Sequence, residues 1–462
     1  MFQPSVATWF RKLCFPVIAV ASPGLVLADV FTVGPGGTHS QIQDAVNAAL
    51  AHSGDDEIRI RGGLSMSGQI VTITQMINER LDISGGWNTT YDQQVINPYQ
   101  NVFSASEEGR TLTVDAEAGV VTIRNLSLVS GKSVSGANAG LTARNDARLE
   151  LSDCSIGYGI ADGGGTLVAS GGGASLAAYN SAVLVIERCQ VNNNRVTGAY
   201  GNTAGLSAFA MDDARIGMSD LRIFNNTLQV SFGYAGGLSV GAAGNGLVEL
   251  DNLEISGNHI IGAASASPLG SGLNVSLNSP GESNAQILMR RLRVTDNATT
   301  ETTSAKYQVH LFANSNNIVV LGDSEISRSE TDGGVLAGIS DSADISLVNL
   351  TVPDNAGFDL AVNGAVNISN TLADTTDASI ASANVNNSLF GTDPLYLERV
   401  DGIYHLLPSS PAIDAGTSTP PGGLGSLDLD GNPRIMGARV DLGANEFNNP
   451  FLFRDGFEAT TP

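Results

Sequence analysis

The sequence predicts an all-β solenoid, a parallel β-helix, because two short patterns recur through its middle at a common spacing. The first, L-x-[I/V]-x-x-N, occurs at residues 221–226, 253–258 and 292–297. The second is a strand-like run that starts with glycine, at Gly140, Gly173, Gly205, Gly237 and Gly272. Both patterns advance by roughly 32 residues, a period typical of stacked repeats.

One repeat holds roughly three short strands, separated by turns of Gly, Asn, Asp and Ser. Alternating apolar runs such as residues 247–250 and 287–289 stand just upstream of the first pattern. The asparagine that ends each motif is suited to a stacked ladder or to a left-handed turn. About ten rungs spaced about 4.8 Å apart would make a rod of roughly 50 Å with an aliphatic core.

A leucine-rich repeat is the rival architecture, since residues 250–258 fit its motif closely. The period of this chain is longer than the about 20–29 residues of that fold. No helical pattern fills the rest of the repeat, where residues 237–243 read Gly-Leu-Ser-Val-Gly-Ala-Ala. The parallel β-helix is therefore preferred.

Residues 34–54 predict an amphipathic helix that caps the N-terminal end of the solenoid. Thr38 or Ser40 is suited to the N-cap position, and Gln43 would complete a capping box with Ser40. Gly54 is placed to end the helix. One face of it is apolar, through Ile42, Val46 and Leu50. Such a lid would cover the core and the unpaired backbone of the first rung.

Residues 1–28 read as a secretory signal peptide. Arg11 and Lys12 form its positive region, residues 13–27 its apolar stretch, and residues 26–28 a small-residue cleavage site. No other apolar run approaches the length of a membrane span. The mature chain is therefore expected to begin near Asp29, to be exported, and to contain no transmembrane span.

The mature chain is strongly acidic. The signal peptide removes two of the 23 bases and no acid, which leaves 21 bases against 46 acids and a net charge of −25. Such a surface repels phosphate backbones, so the sequence predicts no nucleic-acid partner. It also disfavours anionic polysaccharides unless Ca²⁺ bridges them.

Two cysteines remain in the mature chain, Cys154 and Cys189, and they occupy the same place in consecutive repeats. In a solenoid they would stack one strand spacing apart, at about 4.8 Å. That Cα separation permits a disulfide, while parallel side chains hold the Cβ atoms slightly too far apart. A disulfide and two buried thiols both remain open.

Several segments resemble a known family. The cap at residues 33–38 and 42–46 resembles the start of right-handed parallel β-helix proteins of the pectin-lyase-like superfamily, and the repeats loosely resemble those of polymorphic outer-membrane and adhesin-type proteins. Residues 410–416, 428–434 and 440–446 resemble the choice-of-anchor-type C-terminal module of secreted bacterial β-helix proteins. The resemblance implies a right-handed parallel β-helix solenoid with a C-terminal cap module, in the extracellular space or on a bacterial cell surface.

These features divide the chain into five segments. We expect a signal peptide at 1–28, an N-terminal cap at 29–75, β-helix repeats at 76–390, a C-terminal module at 391–448 and a tail at 449–462. The tail is aromatic, and either a sorting tag or a terminal strand over the last rung would account for it.

Catalytic candidates are few. Asp212 and Asp213 form an acidic pair inside a repeat, at a place where neighbouring repeats carry turn residues. Lys306 and His310 are a second weak candidate, since a polysaccharide lyase needs a base and the mature chain has only one other lysine, Lys132. Surface or turn roles are the simpler interpretation of both groups.

Ligand-binding candidates are aromatic. Inter-repeat loops are expected to carry Tyr158, Tyr200, Phe232 and Tyr234, which would form a stripe for stacking on sugars or a partner protein if the loops project from one flank. Packing of those loops on the solenoid is the simpler alternative.

One segment resembles the first half of a calcium loop, with Asp428, Asp430 and Asn432 as weak metal ligands. The bidentate acid that would complete an EF-hand is missing at the expected spacing. A tight turn whose acids hold Arg434 is the simpler interpretation. No cofactor is predicted beyond this possible Ca²⁺.

The sequence favours a non-catalytic secreted or surface-displayed protein that presents repeat loops for adhesion or binding, with carbohydrate or a cell-surface protein as partner. The alternative is a polysaccharide lyase or glycoside hydrolase acting in the solenoid groove. We lean away from an enzyme because convergent ionisable groups are absent from the motifs. The oligomeric state stays open.

Overall fold

A computed structural model describes residues 28–448, except for 164–167, 170, 263–268, 279–282, 301–305, 357 and 399–403. The predicted signal peptide and the aromatic tail lie outside the described residues. In the described part, one α-helix, Ile42–Ala51 (α1), and the short 3₁₀ helices Pro98–Gln100 and Ala378–Ser382 accompany a long succession of strands.

The strands fall into an N-terminal and a C-terminal series in chain order. The first series is Asp29–Val33 (β1), Asp56–Arg61 (β2), Leu64–Ser67 (β3), Val71–Gln75 (β4), Arg80–Trp87 (β5), Asn101–Ser104 (β6), Leu112–Ala116 (β7), Val120–Arg124 (β8), Ser127–Val129 (β9), Lys132–Ser133 (β10), Ala139–Ala143 (β11), Arg148–Ser152 (β12), Ser155–Gly157 (β13), Ile160–Asp162 (β14), Val168–Ala169 (β15), Ala174–Ala178 (β16), Val183–Glu187 (β17), Gln190–Asn192 (β18), Arg195–Thr203 (β19) and Leu206–Asp212 (β20). The second is Arg215–Phe224 (β21), Thr227–Ala235 (β22), Leu238–Gly244 (β23), Leu247–Ser256 (β24), His259–Ile261 (β25), Leu269–Leu277 (β26), Gln286–Thr295 (β27), Ala298–Thr300 (β28), Lys306–Ala313 (β29), Ile318–Ser327 (β30), Gly333–Ile339 (β31), Asp344–Val352 (β32), Leu360–Asn363 (β33), Asn367–Ser369 (β34), Leu372–Ala373 (β35), Asn384–Asn386 (β36), Leu389–Phe390 (β37), Tyr396–Glu398 (β38) and Tyr404–Leu406 (β39).

These strands build a right-handed parallel β-helix, as the sequence predicted. Sheet A stacks β1, β2, β5, β8, β12, β17, β21, β24, β27, β30, β32, β34 and β36 in parallel register, and a second run of short strands extends it sideways. Sheet B stacks β4, β7, β11, β16, β20, β23, β26, β29, β31 and β33. Thirteen strands therefore succeed one another in the main stack of the described part, rather than about ten.

Alternating side chains build the core between the two sheets. In β21 the inward side chains are buried, namely Ile216, Met218, Leu221 and Ile223. Arg215 and Arg222 point outward from the same strand. The strand bends at Asp220, whose φ of 55° is matched by a φ of 58° at Asn252 in the next rung. The recurring Leu and Ile/Val of the first motif are thus the core side chains after this bend.

An internal asparagine ladder closes the turn that follows. The Nδ2 atom of Asn194 donates to Oδ1 of Asn226 at 2.9 Å, and Asn226 donates likewise to Asn258 at 2.9 Å. All three are buried. The ladder is confirmed, and the left-handed residue is the one before each asparagine, such as Asn225 with φ of 55°.

The N-terminal helix is present, but its predicted caps are wrong. Gln41, not Thr38 or Ser40, is the N-cap residue, and no side chain bonds the helix start. Gln43 instead accepts a hydrogen bond from the Thr72 backbone N–H at 2.7 Å and donates to the Thr72 carbonyl at 3.0 Å. The side chain that would close a capping box is therefore used to tie the helix to β4. The helix ends at Ala51, with His52 as its C-cap residue, before Gly54 is reached.

Both cysteines are free and buried. The Cys154 backbone N–H donates to Sγ of Cys189 at 3.2 Å. Their neighbours Ser155 and Gln190 are directly paired, so the two side chains project in parallel from adjacent rungs. Of the two open alternatives, the structure has two buried thiols.

The C-terminal module lies along the side of the solenoid and not only over its end. Its antiparallel pair β38–β39 and the segment that follows cover the outer face of sheet A at the last rungs. Tyr404 donates its backbone N–H to Oε2 of Glu325 at 3.1 Å, and Ala444 donates to Oγ1 of Thr351 at 2.8 Å. A small apolar cluster joins module and rungs through Leu372, Leu406, Ala412 and Leu442.

Among the helices in the described ranges, none is long and apolar enough to cross a membrane.

Candidate functional site

A second stack of strands projects from the solenoid between the asparagine ladder and sheet B. We call it the flank lobe and define it as β14, β19, β22, β25 and β28, which pair in parallel from rung to rung. It encloses a small core of its own, made of Ala161, Val196, Ala204, Leu228, Val230 and Ile260. The sequence analysis placed loops here, and the structure has strands of up to nine residues.

Three of the four predicted aromatic residues lie together on this lobe. Gly201 and Gly233 face the lobe core, since a side chain at Gly201 would approach Val196 to 2.8 Å. By alternation, Tyr200 and Phe232 point outward, and they are direct partners in register. Their rings stack with centroids 5.3 Å apart and planes 14° apart, and more than two-fifths of each side chain is exposed. Tyr234, two residues further on, is exposed as well.

Tyr158 stands apart from this aromatic group. It occupies the left-handed turn position that Asn193 and Asn225 take in later rungs, with a φ of 59°. Its backbone N–H donates to the Asn192 carbonyl at 3.3 Å, and its side chain is 61% exposed. The structure therefore does not join it to the aromatic residues of the lobe.

The outer face of sheet B carries a row of uncharged polar side chains beside the lobe. We call it the polar row: Ser175, Ser207, Ser239, Asn274 and His310, which pair in register on five successive strands. Ser207 Oγ donates to Ser175 Oγ at 3.4 Å. Gly171 lies between β15, which pairs with the lobe strand β19, and β16. It adjoins the row, because a side chain at Gly171 would meet Ser207 Oγ at 3.2 Å.

His310 is neutral over the ordinary pH range. Burial lowers the pKa of its imidazole to about 4, and Nδ1 lies 2.8 Å from Oδ1 of Asn274. The Lys306 ammonium group donates a hydrogen bond to the Thr299 carbonyl at 3.1 Å. The two residues are four positions apart on one extended strand, or about 13 Å at about 3.3 Å per residue. The structure thus does not bring the predicted Lys306–His310 pair together.

Phenylalanines stand on the far side of the polar row. Phe209 is 39% exposed, and its ring lies against Gly241 of the next rung, where an added side chain would meet it at 3.1 Å. Phe312 lies beside Gly338 in the same manner. The polar row is therefore bordered by aromatic rings on this side as well as on the lobe.

The acidic pair Asp212–Asp213 forms a turn. Asp212 has a φ of 62° at the end of β20, in the place that Asn145 and Asn180 occupy in earlier rungs. Asp213 accepts a hydrogen bond from Nδ2 of Asn245 at 2.9 Å. Both side chains are exposed, and this geometry matches the turn interpretation.

The segment that resembles a calcium loop is also a turn. Asp428 is buried and accepts from the backbone N–H groups of Asn432 at 2.7 Å and Glu446 at 3.0 Å. Asp430 lies 2.5 Å from Nε2 of His405. Within the described ranges, no group of three or more His, Cys, Asp or Glu side chains is arranged to hold a metal ion. The calcium site stays a prediction.

The partner expected for Arg434 was wrong. Its guanidinium is buried and lies 3.4 Å from carboxylate oxygens of Asp323 and Glu446, not beside the acids of the turn. Asp323 belongs to β30, more than 100 residues upstream, so no local pattern could reveal this pairing. Burial raises the pKa of Glu446 to about 7 in spite of Arg434.

A separate group of acids lies where the module meets the last rungs. Desolvation, together with the negative charges of Asp359, Asp354 and Asp393, raises the pKa of Asp374 to about 6. The hydroxyl of Tyr404 bonds the Asp354 carboxylate. The sequence analysis did not single out these acids, because they follow three different strands and meet only in the folded chain.

Comparison with known proteins gives structural matches only. No protein-family model and no curated protein sequence matches the chain. Among solved structures, pectate lyase Pel9A superposes with a TM-score of 0.47 and 13% identity over 92% of this chain and 98% of that one. The parallel β-helix is established by the strand pairing of this chain itself.

Two forms of the pectin methylesterase from Aspergillus niger are similar as well. The form with a remaining N-acetylglucosamine gives a TM-score of 0.29 at 15% identity, over 63% of this chain and 87% of the other. The deglycosylated form gives 0.27 at 15% identity, over 64% and 86%. At such identities and scores the likeness carries no argument about substrate or activity.

The serines of the polar row were the main omission of the sequence analysis. Ser207 and Ser239 follow Gly-Leu in the second repeating pattern, so the signal was present in the sequence. Their significance depends on which side of the strand faces outward and on the position of the lobe. Neither is apparent before sheet B and the lobe are assembled.

Proposed function

We propose that this chain is an exported, non-catalytic β-helix protein that binds carbohydrate on the flank formed by the lobe and the outer face of sheet B. The observation that carries the proposal is the exposed Tyr200–Phe232 stack beside the polar row. Flat aromatic rings bury the apolar faces of sugars, and nearby hydroxyl and amide groups bond their hydroxyls.

The charge of the sheet B strands on this flank supports an uncharged ligand. Across β16, β20, β23, β26 and β29, Asp212, Lys306 and His310 are the only residues of the Asp, Glu, Lys, Arg and His types. Asp212 lies in a turn, Lys306 is bonded to a carbonyl, and burial keeps His310 neutral above pH about 4. A uronic acid polymer would find no free base on these five strands.

A non-catalytic role fits the scattered positions of the ionisable candidates. Hydrolysis of a glycosidic bond requires two carboxyl groups that flank it, about 5–10 Å apart. Asp212 and Asp213 lie in an exposed turn, and Asp213 is bonded to Asn245. Lys306 and His310 lie about 13 Å apart along one strand.

A glycoside hydrolase is the second candidate, and Asp374 favours it. A carboxyl group with a pKa raised to about 6 is suited to general acid catalysis near neutral pH. Asp354 and Asp393 are close enough to influence it electrostatically. This hypothesis would place the reaction at the junction of the module and the last rungs, away from the lobe.

One experiment separates the two candidates. The mature chain is incubated with neutral and uronic polysaccharides, with and without Ca²⁺, and assayed for bound polysaccharide, new reducing ends and unsaturated products. Binding of a neutral polymer without cleavage supports the proposal. Cleavage that is lost in Asp374→Asn would replace it with the hydrolase. Absence of binding to every polymer would overturn it.

The aromatic stack supplies the matched variants. Tyr200→Ala and Phe232→Ala should each weaken binding about tenfold, which corresponds to about 1.4 kcal/mol. Tyr99→Ala is the control, because Tyr99 is 57% exposed but bonds Gln190 on the outer face of sheet A. Its binding should match that of the unmodified chain.

Export is the second part of the proposal and rests on residues 1–28. Expression of the full chain in a bacterium, followed by fractionation and N-terminal sequencing, tests it. Mature protein outside the cytoplasm that begins near Asp29 supports export. Retention of intact chain in the cytoplasm would contradict it.

A further inference from the structure

We infer that the ligand is an extended, neutral, β-linked polysaccharide whose chain lies along the polar row, parallel to the solenoid axis, with one sugar residue per rung. The inference rests on the proposed carbohydrate-binding function and specifies its ligand. It is carried by the spacing, the chemistry and the borders of the row.

Spacing is the first argument. Ser175, Ser207 and Ser239 are direct partners in adjacent parallel strands, so their Cα atoms repeat at about 4.8 Å along the axis. One residue of an extended β-1,4-linked sugar chain advances by nearly the same distance. A polymer parallel to the axis therefore meets an equivalent group at each sugar, whereas a polymer across the axis meets only one rung.

The chemistry of the row is the second argument. A serine hydroxyl both donates and accepts hydrogen bonds. Asn274 is buried and its Oδ1 lies 2.8 Å from Nδ1 of His310, so these two residues continue the row without adding charge. Asp212 and Lys306 lie at the ends of β20 and β29, and a further charged side chain lies at the N-terminal end of the row, before Ser175. There Arg110 covers Gly140 and is bonded to the Gly136 carbonyl at 2.9 Å. A neutral chain of hydroxyl-bearing sugars matches a row of this composition.

The borders of the row are the third argument. Tyr200 and Phe232 stack along the axis, in the same direction as the serines. Strand β22 carries Phe232 and Tyr234. It is followed by Gly236 and Gly237 and then by β23, which contains Ser239. Phe209 borders the other side. Aromatic surface thus accompanies the row over successive rungs, which suits a ribbon-like polymer with apolar ring faces.

Length dependence is the direct test. The affinity of the mature chain for β-1,4-linked gluco-oligosaccharides of two, four and six residues is measured by titration calorimetry. Affinity should rise at each step, by about tenfold or more between the two-residue and six-residue ligands. Helical α-1,4-linked gluco-oligosaccharides and anionic oligogalacturonides of the same lengths should bind at least tenfold more weakly than the β-linked hexasaccharide.

Variants of the polar row test whether this surface causes the dependence of affinity on oligosaccharide length. Ser207→Glu and Ser239→Glu should each weaken the hexasaccharide at least tenfold and change binding of the disaccharide much less. Gln286→Glu is the matched control, since it adds the same charge at an exposed position on the outer face of sheet A. Its affinity should be unchanged. Thermal melts confirm that all three variants fold, as both serines are partly exposed.

The outcomes separate the inference from the proposal beneath it. If binding to the β-linked ligands is independent of length, or is unaffected by both serine variants while Phe232→Ala weakens it, the aromatic stack binds a single sugar and the inference fails alone. Preference for the α-linked or anionic series also overturns the inference alone. Absence of binding to every oligosaccharide overturns the inference and the proposed function together.

Discussion

The outer faces of the two sheets share one backbone repeat and differ in chemistry. On sheet A, Arg222 and Glu254 form an ion pair across adjacent rungs at 2.9 Å, and Arg290 pairs with Asp323 at 2.8 Å. On sheet B the equivalent outward positions hold serines, Asn274 and His310. The inward side chains are constrained by the core in both sheets. The outward ones are free to differ, and under the proposed function they separate a structural face from a binding face.

The charges of sheet A act mostly on other parts of the same chain. At the last rungs Asp323 is fully buried between Arg290 and Arg434, and Nδ2 of Asn349 donates to it at 2.7 Å. Arg290 also donates to the carbonyls of Gly422 and Gly423 in the module. Buried ions of this kind are costly unless they are fully partnered. This network therefore depends on the docked module.

The largest effect should come from breaking that network. Asp323→Ala leaves two buried guanidinium groups without their shared carboxylate, and should lower the free energy of unfolding by about 3–5 kcal/mol. Urea denaturation measures it. Glu254→Ala removes a partly exposed ion pair and should cost less than about 1 kcal/mol. If Asp323→Ala and Glu254→Ala lowered the free energy of unfolding equally, the buried ion network under the module would be no more important for stability than the exposed ion pair of the middle rungs.

The asparagine ladder should be the next most sensitive feature. The Asn226 carboxamide donates to Asn258 and to the Val191 carbonyl, and accepts from Asn194, all while buried. Asn226→Ala leaves those partners unsatisfied and should cost about 2 kcal/mol in urea denaturation. Asn225→Gly, at the left-handed position next to it, should change stability by less than about 1 kcal/mol. If Asn226→Ala left the free energy of unfolding unchanged, the structural role of the ladder would be refuted.

A pH dependence should follow from Glu446. Its pKa is raised to about 7 in the folded chain, above its ordinary value of 4.5. At pH below about 4.5 the carboxyl is protonated in both states and imposes no penalty. As pH rises towards about 7, the unfolded chain loses this proton first, so Glu446 reduces stability progressively across that window.

Glu446→Gln checks this assignment. Glutamine stays neutral, so the variant should show a smaller loss of stability between pH 4.5 and 7 than the unmodified chain in matched urea titrations. Glu325 and Asp441 have pKa values raised by burial in the same region, so part of the slope should remain. If stability fell with pH equally steeply in the variant and the unmodified chain, Glu446 would be excluded as a source of the pH dependence.

The smallest effect on stability should come from the polar row. Ser207 makes one long side-chain hydrogen bond, at 3.4 Å to Ser175, and is partly exposed. Ser207→Ala should change the free energy of unfolding by less than about 0.5 kcal/mol. A loss of 2 kcal/mol or more in urea denaturation would mean that this row holds the fold together, as sheet A does.

The parts of the fold that could be predicted are those governed by short-range periodicity. The recurring Leu and Ile/Val positions gave the core, and the recurring asparagine gave the ladder. The predicted capping box is absent because Gln43 bonds Thr72, which is distant in sequence and adjacent only in the folded chain. The predicted partner of Arg434 was wrong for the same reason, since Asp323 belongs to a rung that is distant in sequence.

The aromatic candidates were named on the condition that their segments project from one flank. Tyr200, Phe232 and Tyr234 do lie on the flank lobe, and their role in binding stays a prediction. Tyr158 looked equivalent, but it occupies a tight turn. The polar row was missed because a serine after Gly-Leu is consistent with any short strand. Only the register of the assembled sheet shows that these serines line up with Ser175, Asn274 and His310.

Hydroxyl-radical footprinting with and without a saturating β-1,4-linked gluco-hexasaccharide tests the central claim most directly, because it reports on exposed aromatic rings on both faces at once. We expect protection of Tyr200, Phe232 and Phe209 and no change at Tyr99. Protection of Tyr99, with the lobe rings unchanged, would place the ligand on sheet A and contradict a binding site on sheet B and the lobe.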